Sequence, residues 1–253
     1  MQKVVLSAIV ITAFALVGVV PSSAQTIIFE ERFDDASQFT VTTGVLGTDG
    51  DATNSDYLTV TDGSDIDRSY DGITGSYFAA QDIDGIEDAD GTVVGVSPSV
   101  IEWTDIDING VSDPVFSGLF GEVLDDQGDI DNSDSVKFEY QIDGGGYQDL
   151  IAFENDGSGF NSNFFEDTDF DGVGDGTEIT SSAGTMIFFE KNLVTGSTLD
   201  LRLTVALNAG DEDIAIEDVV ISDGSIPVEL ATFTAQVNGS QAQLQWETVS
   251  ETN

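Results

Sequence analysis

The chain has 253 residues, of which 48 are Asp or Glu and only 6 are Lys or Arg, for a formal net charge of −42. A balance of this size repels phosphate backbones and anionic membrane surfaces at long range, so nucleic acid is excluded as a partner. With no histidine and no cysteine, the Ser-His-Asp triad, the Cys-His dyad, His-ligated zinc and disulfide staples are all unavailable. A pair of carboxylates for glycoside hydrolysis survives this inventory, but with so many acids some pair lies at any chosen distance. No enzymatic activity is expected within this chain. Stability has to come from core area, from bound metal, or from both. The acidity itself has two explanations, clustered calcium sites and adaptation to a saline medium, and they are compatible.

The first segment, 1–24, reads as a signal peptide. Lys3, the apolar run Val4 to Val20, and Ser22-Ser23-Ala24 stand in the order of charged, hydrophobic and cleavage regions. Pro21 interrupts the run and no cationic flank follows, which argues against a membrane anchor. Cleavage after Ala24 leaves a secreted or cell-surface protein with no membrane span.

From Thr26 onward short alternating runs are separated by Gly, Asp, Asn and Ser, and no helical period appears. The expectation for 25–224 is an all-β, jelly-roll β-sandwich. The clearest strands are Val136 to Ile142 and Leu199 to Leu207, where every second residue is apolar. Others are expected over Thr26 to Phe33, Phe39 to Thr43, Ser76 to Ala80, Ser99 to Ile108, Val115 to Val123, Tyr147 to Phe153, Met186 to Lys191 and Ile214 to Ser222. Asp143-Gly144-Gly145-Gly146 is read as a hairpin turn.

Strand parity raises a candidate metal site at the two ends of this domain. Glu31 shares a face with Ile27, Phe29 and Phe33, and Asp218 shares one with Ile214, Ile216 and Val220. A carboxylate on an apolar face is costly unless paired or coordinated. The alternative is a bulge that turns either carboxylate outward. Asp82 to Gly85, Asp105 to Gly110 and Asp125 to Asp134 are also acidic, yet none closes with a glutamate at the twelfth place, and solvated turns are expected there.

The stretch DTDFDGVGDGTE, Asp167 to Glu178, fits a twelve-residue calcium loop at every specified place. Asp167, Asp169 and Asp171 supply side-chain oxygens, Gly172 the sharp turn and Val173 a backbone carbonyl. Asp175 binds directly or through water, and Glu178 closes the shell with both oxygens. Hard oxygen ligands at alternate positions suit Ca2+, and a solvated acidic turn is the alternative.

Ile226-Pro227 marks a boundary, and 225–253 reads as a linker and the first hairpin of a truncated second module. Pro227 to Leu230, Phe233, Ala235, Asn238-Gly239, Leu244, Trp246, Thr248 and Ser250 to Asn253 resemble the opening of an immunoglobulin- or fibronectin-like module in secreted proteins of Bacteroidota-type bacteria. In such proteins that module precedes a type IX secretion sorting domain. Ser76 to Asp84, Val136 to Asp156, Phe170 to Thr180, Leu199 to Val205 and Asp211 to Ile221 resemble the N-terminal jelly-roll module of multidomain extracellular proteins, some of them nucleases. The resemblance implies a non-catalytic module for adhesion, carbohydrate binding or spacing, with polysaccharide or cell-surface and matrix components as partners. It equally implies the alternative of an accessory domain of a secreted hydrolase, nuclease or glycosidase. A structural calcium between first and last strands, with Glu31 and Asp218 as ligands, is implied by carbohydrate-binding jelly rolls.

Overall fold

The structure, a computed structural model, describes residues 26–48, 55–124, 128–224, 230–238 and 241–248. The signal-peptide segment 1–24 and the Ile226-Pro227 boundary lie outside the described residues. Among the described residues every regular element is a strand. In chain order they are β1 (Thr26–Glu31), β2 (Thr40–Thr43), β3 (Gly47–Thr48), β4 (Tyr57–Thr61), β5 (Tyr77–Gln81), β6 (Ser99–Asp107), β7 (Pro114–Val123) and β8 (Ser135–Ile142). There follow β9 (Gln148–Glu154), β10 (Phe165–Glu166), β11 (Thr180–Ser181), β12 (Ile187–Asn192), β13 (Thr198–Ala206) and β14 (Asp213–Asp223). The hairpin strands β15 (Leu230–Asn238) and β16 (Gln241–Thr248) pair antiparallel and belong to a separate compact unit.

The larger unit is a two-sheet β-sandwich. One sheet runs β11-β7-β14-β5-β4-β3, with β1 also on β14 and β12 also on β7, and the other runs β10-β9-β8-β13-β6-β2. The chain repeatedly changes sheet, from β5 to β6 to β7 to β8 and again from β12 to β13 to β14, which is the jelly-roll way of winding. Period-two patterning explains why these strands form. On β8 Val136, Phe138 and Tyr140 are buried, and on β13 Leu199, Leu201, Leu203 and Val205 are fully buried, while the residues between them face outward.

Aromatic rings join the two sheets. Phe120 of β7 lies 4.9 Å from Phe153 of β9, Phe116 of β7 lies 5.2 Å from Phe138 of β8, and Phe153 meets Phe189 of β12 at 5.1 Å. Offset and edge contacts at these spacings add about 0.5–1.5 kcal/mol each to what burial supplies. Trp103 of β6 stacks on Phe138, and its indole Nε1 donates to the buried Glu31 Oε2 at 3.1 Å.

Two backbone irregularities decide which residues face inward, and the second departs from the expected parity. Asp105 has φ of +61°, and the register between β13 and β6 shifts nearby, so it leaves the face of Ile101 and Trp103 and becomes exposed while Ile106 turns in. Asp218, with φ of +52°, sits where the β14–β7 register shifts between Glu217 and Val220. Beyond it Val219 and Ile221, rather than Val220, are buried.

The wall of β7 also buries a carboxylate. Glu122 accepts from Phe164 N at 3.3 Å and from Thr180 Oγ1, and its Oε1 has no donor. Burial, with Asp213 nearby, pushes Glu122 up from 4.5 to about 8. A folded chain that holds this proton is most stable at acid pH and loses that advantage as pH rises from about 4.5 to about 8. In chelator, thermal melts at pH 5 and pH 8 are expected to differ less for Glu122→Gln than for the parent chain, since glutamine is neutral at both. Equal differences would show that Glu122 is ionised in the fold.

Candidate metal centre

The acidic loop is set between two short strands. Phe165–Glu166 pairs with β9 and Thr180–Ser181 with β7, so the two ends of the loop are fixed to different sheets. Asp167 N donates to Ala152 O at 2.9 Å, which continues the β9 edge into the loop. At the base Gly176 N and Asp175 N both donate to Glu166 O, at 2.7 and 3.0 Å, and Glu166 N donates to Thr177 O at 2.9 Å. Gly174 lies so close to the chain behind it that a Cβ there would sit 2.5 Å from Glu154 O. Gly172, with φ of +87°, makes the turn that a side chain would strain.

Inside this frame Asp167 is almost fully buried, and its carboxylate gathers the loop backbone. Oδ1 accepts from Phe170 N at 2.7 Å and Asp171 N at 3.3 Å, and Oδ2 accepts from Gly172 N at 2.8 Å. Asp169 and Asp171 are exposed, and one oxygen from each lies within 4.8 Å of the others and of one from Asp167. The crowding is electrostatically unfavourable without a cation. Asp171, then burial, then Asp175 and Asp167 push Asp169 upward.

The later positions of the twelve are turned to other partners. Asp175 Oδ1 accepts from Thr168 N at 3.0 Å and Thr168 Oγ1 at 2.7 Å, which holds that carboxyl below its usual range. Glu178 is exposed and its Oε1 accepts from Asn163 Nδ2. Val173 is on the surface with its N–H on Asp171 Oδ1 at 3.1 Å. The structure therefore brings together the first three expected ligands and leaves Val173, Asp175 and Glu178 outside that group.

Glu31 and Asp218 stand in different surroundings, one buried and one exposed. Glu31 is fully buried, with Oε1 accepting from Phe33 N at 2.7 Å and Oε2 from Trp103, and burial raises its pKa despite these donors. Asp218 is turned out to solvent by the bulge and acts instead on the exposed Arg32. Glu31 thus takes N–H donors inside the core, and Asp218, at positive φ, follows the outward-bulge alternative.

Residues that parity and spacing did not reveal lie elsewhere. Asp131, Asp134 and Glu212 also bring one oxygen each within 4.8 Å, from two turns far apart in sequence. The Asp125 to Asp134 stretch, expected as a solvated turn and described from Gly128 onward, buries Asp134 completely. Beside the acidic loop a cleft of about 330 Å³ is lined by Lys137, Asp149, Glu154, Asp167 and Phe170. Burial and the Asp167 charge push Glu154 up to about 7.

No protein-family model matches the chain, and no curated protein matches it in sequence. Solved structures with a related arrangement include the K3 cleaved adhesin domain of Lys-gingipain from Porphyromonas gingivalis W83. It is 14% identical with a TM-score of 0.42, over 79% of this chain and 100% of that one. The CBM22-1 xylan-binding domain of Paenibacillus barcinonensis Xyn10C is 12% identical with a TM-score of 0.38, over 80% of this chain and 98% of that one. Likenesses of this strength say nothing of a ligand.

The roles of Asp167 and Asp169 should separate without any metal. In chelator Asp167→Ala is expected to destabilise the chain by about 1–3 kcal/mol, because it orphans N–H groups at a buried position. Asp169→Ala is expected to leave the chelated melt unchanged or slightly raised, since it only relieves repulsion. Urea unfolding of both variants checks this, and equal losses would deny Asp169 its free ligand role.

Proposed function

We propose that this chain is an exported, non-catalytic β-sandwich binding module whose Asp167–Glu178 loop takes calcium. The observation that carries it is the gathering of Asp167, Asp169 and Asp171 within 4.8 Å on a loop tied at both ends to strands. Carboxylate oxygens at alternate positions on a tight turn are hard donors of the kind calcium selects. The chain's own cations do not serve there. Lys191 is committed to Glu166, and Lys137 to Asp149 at 3.1 Å and Glu139 at 3.5 Å. Calcium would draw Glu178 from Asn163 and Asp175 from Thr168, with the Val173 carbonyl completing the loop's share of the shell. Folding and metal binding are then linked, which suits a chain without disulfides. Export rests on the 1–24 leader, and among the described residues no helix is long and apolar enough to cross a membrane.

A thermal melt in chelator, followed by added calcium, magnesium or sodium chloride in parallel, tests the reading. Calcium is expected to raise the midpoint saturably at low concentration, and Asp169→Ala or Glu178→Ala to weaken that response about tenfold or more, worth about 1.4 kcal/mol of binding. A rise with sodium chloride alone would reduce the acidity to a screening effect.

The cleft beside the loop favours a polysaccharide as the bound partner. It offers a ring, Phe170, for stacking, together with a cation and carboxylates that donate to and accept from hydroxyls. On affinity gels carrying different polysaccharides, retention by one class in calcium is expected to fall several-fold in Phe170→Ala without a change in melting. Retention unaffected by the substitution would remove the cleft from the reading.

A further inference from the structure

Asp131, Asp134 and Glu212 come from opposite ends of the chain's second half. Asp131 and Asp134 flank the turn that enters β8, and Glu212 precedes β14, where the chain returns after β13. The pairing of Ser135 with Ala206 brings the two turns side by side, and Asn208 Nδ2 donates to Ser133 Oγ at 2.8 Å across them. Asp134 and Glu212 are buried and Asp131 is half-buried, so the group has a closed floor and one open side.

The donors around this group are nearly used up. Glu212 Oε2 takes Asn208 N at 2.7 Å and Ala209 N at 2.8 Å, Asp131 Oδ1 takes Ser133 N at 2.6 Å, and Asp134 Oδ2 takes Asp131 N at 2.6 Å. Asp134 Oδ1 is different. It is wholly buried, no donor reaches it, and the charged groups acting most on it, Glu212 and Asp131, are acidic. Desolvation and these neighbours push Asp134 up to about 9. The basic side chains of the described residues, Arg32, Arg68, Lys137, Lys191 and Arg202, pair with carboxylates elsewhere.

The geometry points to a second cation site, in which Asp131, Asp134 and Glu212 hold one calcium-like divalent ion between the β7–β8 and β13–β14 turns, with Asp134 Oδ1 as its innermost ligand. The free oxygen that no N–H reaches is what a hard cation needs, and three carboxylates with oxygens within 4.8 Å match the donor set calcium prefers. Half-buried Asp131 gives the ion its entry. The site is independent of the Asp167 loop and would pin the edges of two central strands, β8 and β14, from different sheets.

The rival occupant is a proton shared by Asp134 and Glu212, and substitution separates the two. The full chain is stripped with chelator and reloaded with calcium, and bound metal is counted by mass spectrometry after gel filtration. Asp134→Asn and, in case that variant does not fold, Asp131→Asn at the half-buried rim are each expected to bind one calcium fewer than the parent chain. Asp169→Ala is expected to lose a different one, so that Asp131→Asn combined with Asp169→Ala loses two. The Asp134→Asn melt in chelator should be no lower than the parent's, with the calcium-induced rise reduced. Unchanged calcium counts in Asp134→Asn and Asp131→Asn would overturn the site and leave the shared proton, while a lost count in Asp169→Ala alone would uphold only the loop.

Discussion

A shortage of positive charge governs this molecule. Against 48 carboxylates the sequence sets 6 basic residues, and those among the described residues are already paired. A carboxylate taken out of water needs N–H donors, a proton or a cation, because the isolated ion is too costly to bury. Each solution can be seen in the fold. Glu31 takes the indole of Trp103 and a backbone N–H, and Asp167 takes three backbone N–H groups. Asp213 takes Tyr70 Oη–H at 2.6 Å, Val123 N at 3.1 Å and, at 3.4 Å, Arg68. Burial pushes Glu122 upward, toward holding a proton.

The sandwich makes these solutions possible by separating apolar bulk from charge. Phe116, Phe120, Phe138, Phe153 and Phe189 fill the space between the sheets, so strand interiors need no polar partner. Apart from buried strand acids such as Glu31, Glu122 and Asp213, the acids are sent to wet faces and to turns. On the outer face of the second sheet Arg202 bonds Glu139 at 2.8 Å and lies 3.8 Å over the Tyr147 ring, while Tyr147 Oη–H donates to Glu102 at 3.2 Å. Where turns from different strands meet, such as Asp131 to Asp134 against Glu212, carboxylates converge without design on either segment alone.

Much of this fold was legible because period-two patterning is a local property. Val136 to Ile142 and Leu199 to Leu207 announce their buried faces residue by residue, and the observed strands begin and end within one residue of those spans. The closeness of Asp167, Asp169 and Asp171 was legible for the same reason, since their spacing sits in one stretch. Part of what escaped is set by backbone irregularity or by distance in sequence, although the regular strand Tyr57–Thr61 was also missed. Asp105 and Asp218 adopt positive φ and shift the register, which reverses the parity from which Asp218 was expected to point inward. The two-residue strands Gly47–Thr48, Phe165–Glu166 and Thr180–Ser181 are too short to carry a period. Glu212 lies beyond any spacing rule, because only the β8–β13 pairing carries it to Asp134.

Calcium would act on this fold through charge as much as through contact. Screening by monovalent salt lowers repulsion between exposed acids over a Debye length of about 8–10 Å at physiological strength, but it reaches buried pairs poorly. Asp134 and Glu212 are buried, and Asp169 and Asp171 are exposed yet each brings an oxygen within 4.8 Å of one on buried Asp167. A bound divalent ion cancels charge at the place where screening is weakest, so a chain of this composition gains from specific sites what bulk salt cannot give. The sheets meet at their aromatic core, whereas the turns that cross between them carry the repulsion. Cations held in those turns would complete the closure that the core begins.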